Sequence, residues 1–159
     1  MLILASDLKD RTIFSLETGE PVAKVEYPII APDSLKIIAF KLKIWDDRVS
    51  RVVFTDDIRE SDIEGFSVDG YKNLVELDSH LVRLQKTLSL NFDILNLTIE
   101  DSSSKKIGYI TDYVISDSNF ELVKFYYQVN SLKGKILSQN RFFNRDAIIK
   151  LSNKRIVIN

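Results

Sequence analysis

The feature that most constrains this chain is an internal repeat. Shifted by about 85 positions on itself, the 159-residue sequence aligns without a gap over roughly 20 residues, from Val22 on Ile107 to Leu42 on Tyr127. Val25 falls on Ile110, Ile29 on Val114, Ile30 on Ile115, Ile37 on Leu122 and Phe40 on Phe125. The turn Pro32-Asp33-Ser34 falls on Asp117-Ser118-Asn119, and the small Ala23 falls on Gly108. With a small change of offset, Phe54-Thr55-Asp56-Asp57 meets Phe143-Asn144-Arg145-Asp146, and Phe66-Ser67-Val68 meets Ile156-Val157-Ile158. Apolar alternation on both sides of a turn is the signature of a β-hairpin, here written twice. A repeat of this kind dictates the architecture before any other feature does.

Within the first copy the strands are short and closely spaced. Thr12–Leu16 is rich in β-branched and aromatic residues and ends at Thr18-Gly19. A second strand runs from Val22 to Pro32, with Pro28 and Pro32 predicting an edge or a bend because proline cannot donate to a ladder. Leu35–Ile44, Val52–Phe54 and Phe66–Val68 follow. No helical period interrupts them, so βαβ units are excluded and a small barrel is favoured. About 70 residues per copy make a thin core. The copies are therefore expected to pack on each other, on the linker or on a second chain.

Between them the character changes. Leu74, Leu77, Leu81, Leu84 and Leu88 recur at alternating steps of 3 and 4, the stripe of an amphipathic helix. Asp78 or Ser79 is the predicted cap, and the helix is expected to run to about Leu88. The predicted fold class is thus all-β, two tandem small barrels joined by a linker with a short amphipathic helix. The units are residues 1–70, the linker 71–89 and residues 90–159.

The second copy carries Lys106-Ile107-Gly108-Tyr109-Ile110-Thr111-Asp112-Tyr113-Val114-Ile115-Ser116-Asp117, then Phe142-Phe143-Asn144-Arg145-Asp146-Ala147-Ile148 and Arg155-Ile156-Val157-Ile158. This succession resembles the PRC-barrel family. The first copy departs from it where Ala23 stands for Gly108 and Tyr27 for Asp112. The resemblance implies six-stranded PRC-like barrels used as adaptors, as in the cytoplasmic domain of the photosynthetic reaction-centre H subunit and one domain of the RimM-type ribosome maturation factor. It implies docking to protein or ribonucleoprotein and brings no catalytic residues with it.

Composition narrows the chemistry further. Apolar residues make up 45% and charged residues 28%, ordinary for a folded protein. The absence of cysteine removes disulfides, thiolate metal sites and cysteine nucleophiles. The single histidine, His80, has no second imidazole for a metal site and sits in no nucleophile motif. Asp46-Asp47 and Asp56-Asp57 are adjacent carboxylates at predicted turns, where neighbours point apart instead of across a pocket. No phosphate-binding loop is present. A third class, an enzyme or small-ligand binder, requires a pocket of several hundred Å³ with convergent polar groups. No apolar run reaches the roughly 18–20 residues that cross a bilayer, and Asp7 interrupts the apolar start, so a cytoplasmic chain without membrane insertion is expected.

Two interaction surfaces follow. The leucine stripe, Leu77, Leu81, Leu84 and Leu88, is a candidate contact for a protein partner, with a homodimer as one form of such contact. The chain is net acidic over residues 1–70 and net basic over residues 91–159. Arg141, Arg145, Lys150, Lys154 and Arg155 gather near Phe142 and Phe143, a pattern that suits RNA or a ribonucleoprotein. The expected function is a non-catalytic protein adaptor without cofactor. An RNA- or ribosome-associated maturation factor is the alternative.

Overall fold

A computed structural model describes residues 1–45, 48–78, 81–90, 92–129 and 141–159. The elements in chain order are β1 (Leu2–Leu4), β2 (Thr12–Ser15), β3 (Pro21–Ala31), β4 (Lys36–Lys43), β5 (Arg51–Phe54), β6 (Glu60–Ser61), β7 (Gly65–Val68) and β8 (Val75–Glu76). Helix α1 (Val82–Ser89) follows, then β9 (Thr98–Glu100), β10 (Lys106–Ser116), β11 (Leu122–Val129), β12 (Arg141–Asn144), β13 (Ile148–Leu151) and β14 (Arg155–Ile158). The molecule is mostly β, in two curled sheets. One sheet runs β6-β7-β2-β3-β4-β5-β8; the other runs β12-β11-β10-β9-β14-β13, with β1 added to β10.

The two ladders share their irregularities as well as their order. In β3–β4 the register shifts between Val25 and Tyr27 and again between Ile29 and Ile30. In β10–β11 it shifts between Ile110 and Asp112 and between Val114 and Ile115. These are the positions that the sequence repeat superimposes. Each bulge adds a residue to one strand and increases local twist, which is how a flat ladder is made to curl. Both sheets also close with the same parallel pair: Ile13 lies opposite Phe66 in β2–β7, and Ile99 opposite Ile156 in β9–β14.

The proline-bearing strand meets the expectation of an edge in an unexpected way. β3 sits inside its sheet, yet β2 pairs with it only at Pro21, Ala23 and Lys24. Past that point β4 is its only strand neighbour among the described residues, and Pro28 lies opposite Phe40 there. The missing N–H of Pro28 therefore costs no ladder bond on the free side. On the matching stretch of β10, β1 supplies the absent strand, pairing Leu2, Ile3 and Leu4 with Ser116, Ile115 and Val114.

Among the described residues, several strands of two or three residues escape the sequence pattern, β9 among them. β1, from the N-terminal copy, joins the second sheet, and β8, from the segment read as linker, pairs with β5 of the first. β6 is a two-residue strand on β7. Strands of two or three residues carry no measurable alternation, so no period was available to find them.

One continuous core runs through both halves. Ile13, Ile37, Phe40 and Phe66 from the first sheet join Ile99, Ile110, Leu122 and Phe125 from the second in a single buried cluster. Phe120, from the second half, packs edge-on against Phe40 and Phe66 of the first, with ring centroids 6.0 and 5.7 Å away. Thin cores gain stability by fusing, because a larger unit buries a larger share of its surface.

Candidate interaction faces

The outer faces of the two sheets are built from the same ladder positions but carry different residues. In the first sheet, Ala39 pairs with Phe54 and Lys41 with Val52. Ile29, opposite Ala39, completes the face. Helix α1 lies over it: Leu84, only 2% exposed, joins Ile29, Ala39 and Val52 in a second buried cluster. Leu77, Leu81 and Leu88 pack around that cluster together with Ile38 and Phe54. The leucine stripe is therefore occupied by its own sheet, and Leu84 has no surface left for a partner while α1 is seated.

The helix begins later than its predicted cap. Leu81 takes the N-cap position without a side-chain bond, and its N–H donates to the Asp78 carbonyl at 3.2 Å. Ser79 lies outside the described residues, as do His80 and the pair Asp46-Asp47. Asp56 and Asp57 form part of a single turn of 3-10 helix at Thr55–Asp57, the role their sequence position suggested.

In the second sheet the corresponding positions are Val114, Lys124, Tyr126, Phe142 and Asn144: Val114 pairs with Lys124, Lys124 with Asn144, and Tyr126 with Phe142. Among the described residues no helix covers them, since α1 lies on the first sheet. Phe142 is 52% exposed and meets Tyr126 edge-on at 6.3 Å. The Lys124 ammonium lies 3.9 Å from the Phe142 ring centre and 5.2 Å from that of Tyr126. Leu4 of β1, 37% exposed, pairs with Val114 and extends the apolar strip. The result is a face on which Phe142 and Leu4 are exposed around the half-buried Lys124 and Tyr126, while Val114 at its edge is already buried. Sequence reading placed Phe142 with Phe143 beside the basic cluster and did not separate the two. In the strand register Lys124 stands where Ala39 does and Phe142 where Val52 does, the latter one residue away from the sequence match.

The basic residues divide. Arg145 turns inward: its guanidinium donates to the carbonyls of Leu35 and Leu122 at 3.2 and 3.3 Å and to that of Ser34, and it pairs with Glu121. Arg155 donates to the Glu100 carboxylate at 3.2 Å. Arg145 is half-buried, and Arg155 keeps an exposed side chain beside its bond to Glu100. Arg141, Lys150 and Lys154 are exposed.

A cleft of about 670 Å³ lies where the halves meet, between Pro28-Ile29-Ile30 of β3 and Leu88, Phe92 and Ile94. Its carboxylates already serve its walls. Asp112 accepts from the Ser6 hydroxyl at 2.8 Å and from the Ser6 N–H at 3.3 Å. Glu26 accepts from Lys41 at 3.2 Å, and Asp93 accepts from the Leu95 N–H at 3.0 Å. Burial, reinforced by the charges of Asp112 and Asp93, pushes the Tyr113 phenol far above its ordinary range, so it stays neutral. The volume suits a ligand, and the lining mixes apolar residues with Ser6, Lys9, Thr111 and the carboxylates just described. Among the described residues no cluster of three or more His, Asp or Glu is placed to hold a metal ion. No helix among them is long and apolar enough to cross a membrane.

Asp117 ties three parts of the chain together. It accepts from the Met1 amine at 2.8 Å and from the Ser61 hydroxyl at 2.7 Å. Burial pushes its carboxyl upward, but these two bonds and the nearby charges of the terminus and Arg11 outweigh burial and hold it below the usual carboxylate range.

Compared with models of known protein families, the chain gives no match, and no curated protein matches it.

Proposed function

We propose that this chain is a non-catalytic adaptor: two tandem PRC-like barrels, residues 1–70 and 90–159, with the segment 71–89 between them, docking a second protein in the cytoplasm. The observation that carries this reading is the inequality of the two outer faces. One copy has its apolar face sealed by α1 through Leu84, while the other leaves Phe142, Tyr126 and Leu4 open around Lys124. An exposed aromatic cluster beside a cation is the composition of interface hot spots. The PRC-like succession of residues in β10 and β12 supports the same assignment. The filled interior argues for a surface role, since Phe40, Phe66, Phe125, Ile13 and Ile99 occupy the space that a ligand-binding barrel would leave empty.

The experiment is capture of partners from native cytoplasm on the tagged chain, with and without ribonuclease. Proteins retained after ribonuclease treatment support the adaptor reading. Loss of every partner on ribonuclease treatment rejects it in favour of the RNA reading, with Arg141, Lys150 and Lys154 as the contacts. Capture of nothing under either condition also rejects it.

A further inference from the structure

We infer that the open face of the second sheet receives an amphipathic helix from the partner, one that carries an acidic residue at the centre of its apolar stripe; this rests on the adaptor reading above. The occupant is argued from the molecule itself. The first sheet is a solved example of what this ladder face binds: a leucine-striped helix, α1, whose Leu84 seats against Ile29, Ala39 and Val52. The second sheet repeats the ladder beneath that face, register shifts included. The shared register shifts give the two faces a common ladder, and β1, paired to β10, adds Leu4 to the floor on which the second helix would lie.

The side chains then specify how this helix differs from α1. Where Ala39 lies under Leu84, Lys124 stands in the second sheet, and Phe142 replaces Val52. A leucine above Lys124 would bury an ammonium without a counter-charge, which is costly. A carboxylate in that place supplies the charge and a charge-assisted bond. Among the described residues no carboxylate forms an ion pair with Lys124; its partners are the two aromatic rings. The larger Phe142 asks for a shallower helix residue beside it. The predicted ligand is therefore an amphipathic helix that keeps a leucine at the place of Leu88 and carries a glutamate in place of Leu84.

The probe is a synthetic peptide of residues 74–92 of this chain with Leu84→Glu, held helical by a staple on its outer side and titrated into the full-length chain by fluorescence anisotropy. Saturable binding is expected. Phe142→Asp should abolish it, and Lys124→Glu should weaken it by about tenfold or more. Replacing the peptide's glutamate by lysine should restore binding to the Lys124→Glu chain while weakening it for the native one. Phe142 and Lys124 lie on the outer face, so unchanged circular dichroism spectra and melting temperatures should show that both variants are folded. No binding, or binding indifferent to both substitutions, overturns the proposal. Partner capture with the Phe142→Asp chain separates the two levels of the argument. Proteins still retained by that variant leave the adaptor reading standing and reject this face; failure of the native chain to retain any removes the adaptor reading itself.

Discussion

Leu35 and Phe120 occupy the same place in the two copies and are cross-bonded. The Ile37 N–H donates to the Phe120 carbonyl at 2.9 Å, and the Leu122 N–H donates to the Leu35 carbonyl at 2.9 Å. Both residues have left-handed backbones, with φ of 48° and 60°, although neither is glycine, asparagine or aspartate. Such a conformation persists only where its surroundings enforce it. Here the enforcement is mutual: each hairpin tip holds the other, and both side chains are 6% exposed in the common core. Phe120→Ala should cost about 3–5 kcal/mol in urea unfolding. Because Phe120 packs on Phe40 and Phe66 of the other half, the loss should appear as a shift of one cooperative transition. Two separated transitions in the native chain would contradict the shared core.

Gly108 is matched in the first copy by Ala23, and the exchange is not symmetric. A methyl group on Gly108 would fall on the Gln128 carbonyl oxygen and close to the Val129 Cα. Gly108→Ala should therefore destabilise the chain by about 1–3 kcal/mol through forced backbone movement. Ala23→Gly should cost only about 0.5–1 kcal/mol. Paired urea titrations check the difference.

Exchanging the central residues of the two outer faces tests which one is sealed. Ala39→Lys places an ammonium under Leu84 and should cost at least about 2 kcal/mol or expel α1, seen as lost helical signal in far-ultraviolet circular dichroism. Lys124→Ala removes only contacts with two exposed or half-exposed rings and should cost at most about 1 kcal/mol.

Arg145 belongs to the fold more than to an RNA surface. Its guanidinium gathers the carbonyls of Ser34, Leu35 and Leu122 at the junction of the hairpin tips. Arg145→Ala should lower stability by about 1.5–3 kcal/mol. Arg145→Lys should recover little of it, because an ammonium lacks the planar fork that reaches several carbonyls.

Asp117 makes part of the stability pH-dependent. Its carboxyl is held below the unfolded value of 3.8, so its contribution is present above that pH and is lost as pH falls through the lower folded value. Urea midpoints measured from pH 7 down to pH 2 should show Asp117→Asn less stable than the native chain at neutral pH. The difference should shrink below about pH 4, as the native carboxyl is protonated.

The larger strands were legible because they alternate: β3, β4, β10 and β11 follow the repeat, bulges included, whereas α1 takes in only Leu84 and Leu88 of the leucine stripe. What the sequence did not disclose was which surfaces would meet. The stripe at Leu77, Leu81, Leu84 and Leu88 has the same spacing whether it binds a partner or its own sheet, and only the seat at Ile29, Ala39 and Val52 decides. The bonds of Arg145 to three carbonyls and of Arg155 to Glu100 were not readable, because charge is visible in sequence while its partners are not. Phe142 and Phe143 were read together beside the basic cluster, yet neighbouring residues in a strand face opposite ways. Phe143 stacks on Phe125 inside at 5.1 Å, and Phe142 stands outside.

The central claim is that the second sheet carries an open helix-binding face which the first sheet has already filled. Its most direct test is two-dimensional NMR of the full-length chain, titrated with the stapled 74–92 peptide carrying Leu84→Glu. The account predicts chemical-shift changes concentrated at Val114, Lys124, Tyr126 and Phe142, with Ile29, Ala39 and Val52 unmoved. Changes centred on the first sheet, or in the cleft at Pro28 and Phe92, would contradict it.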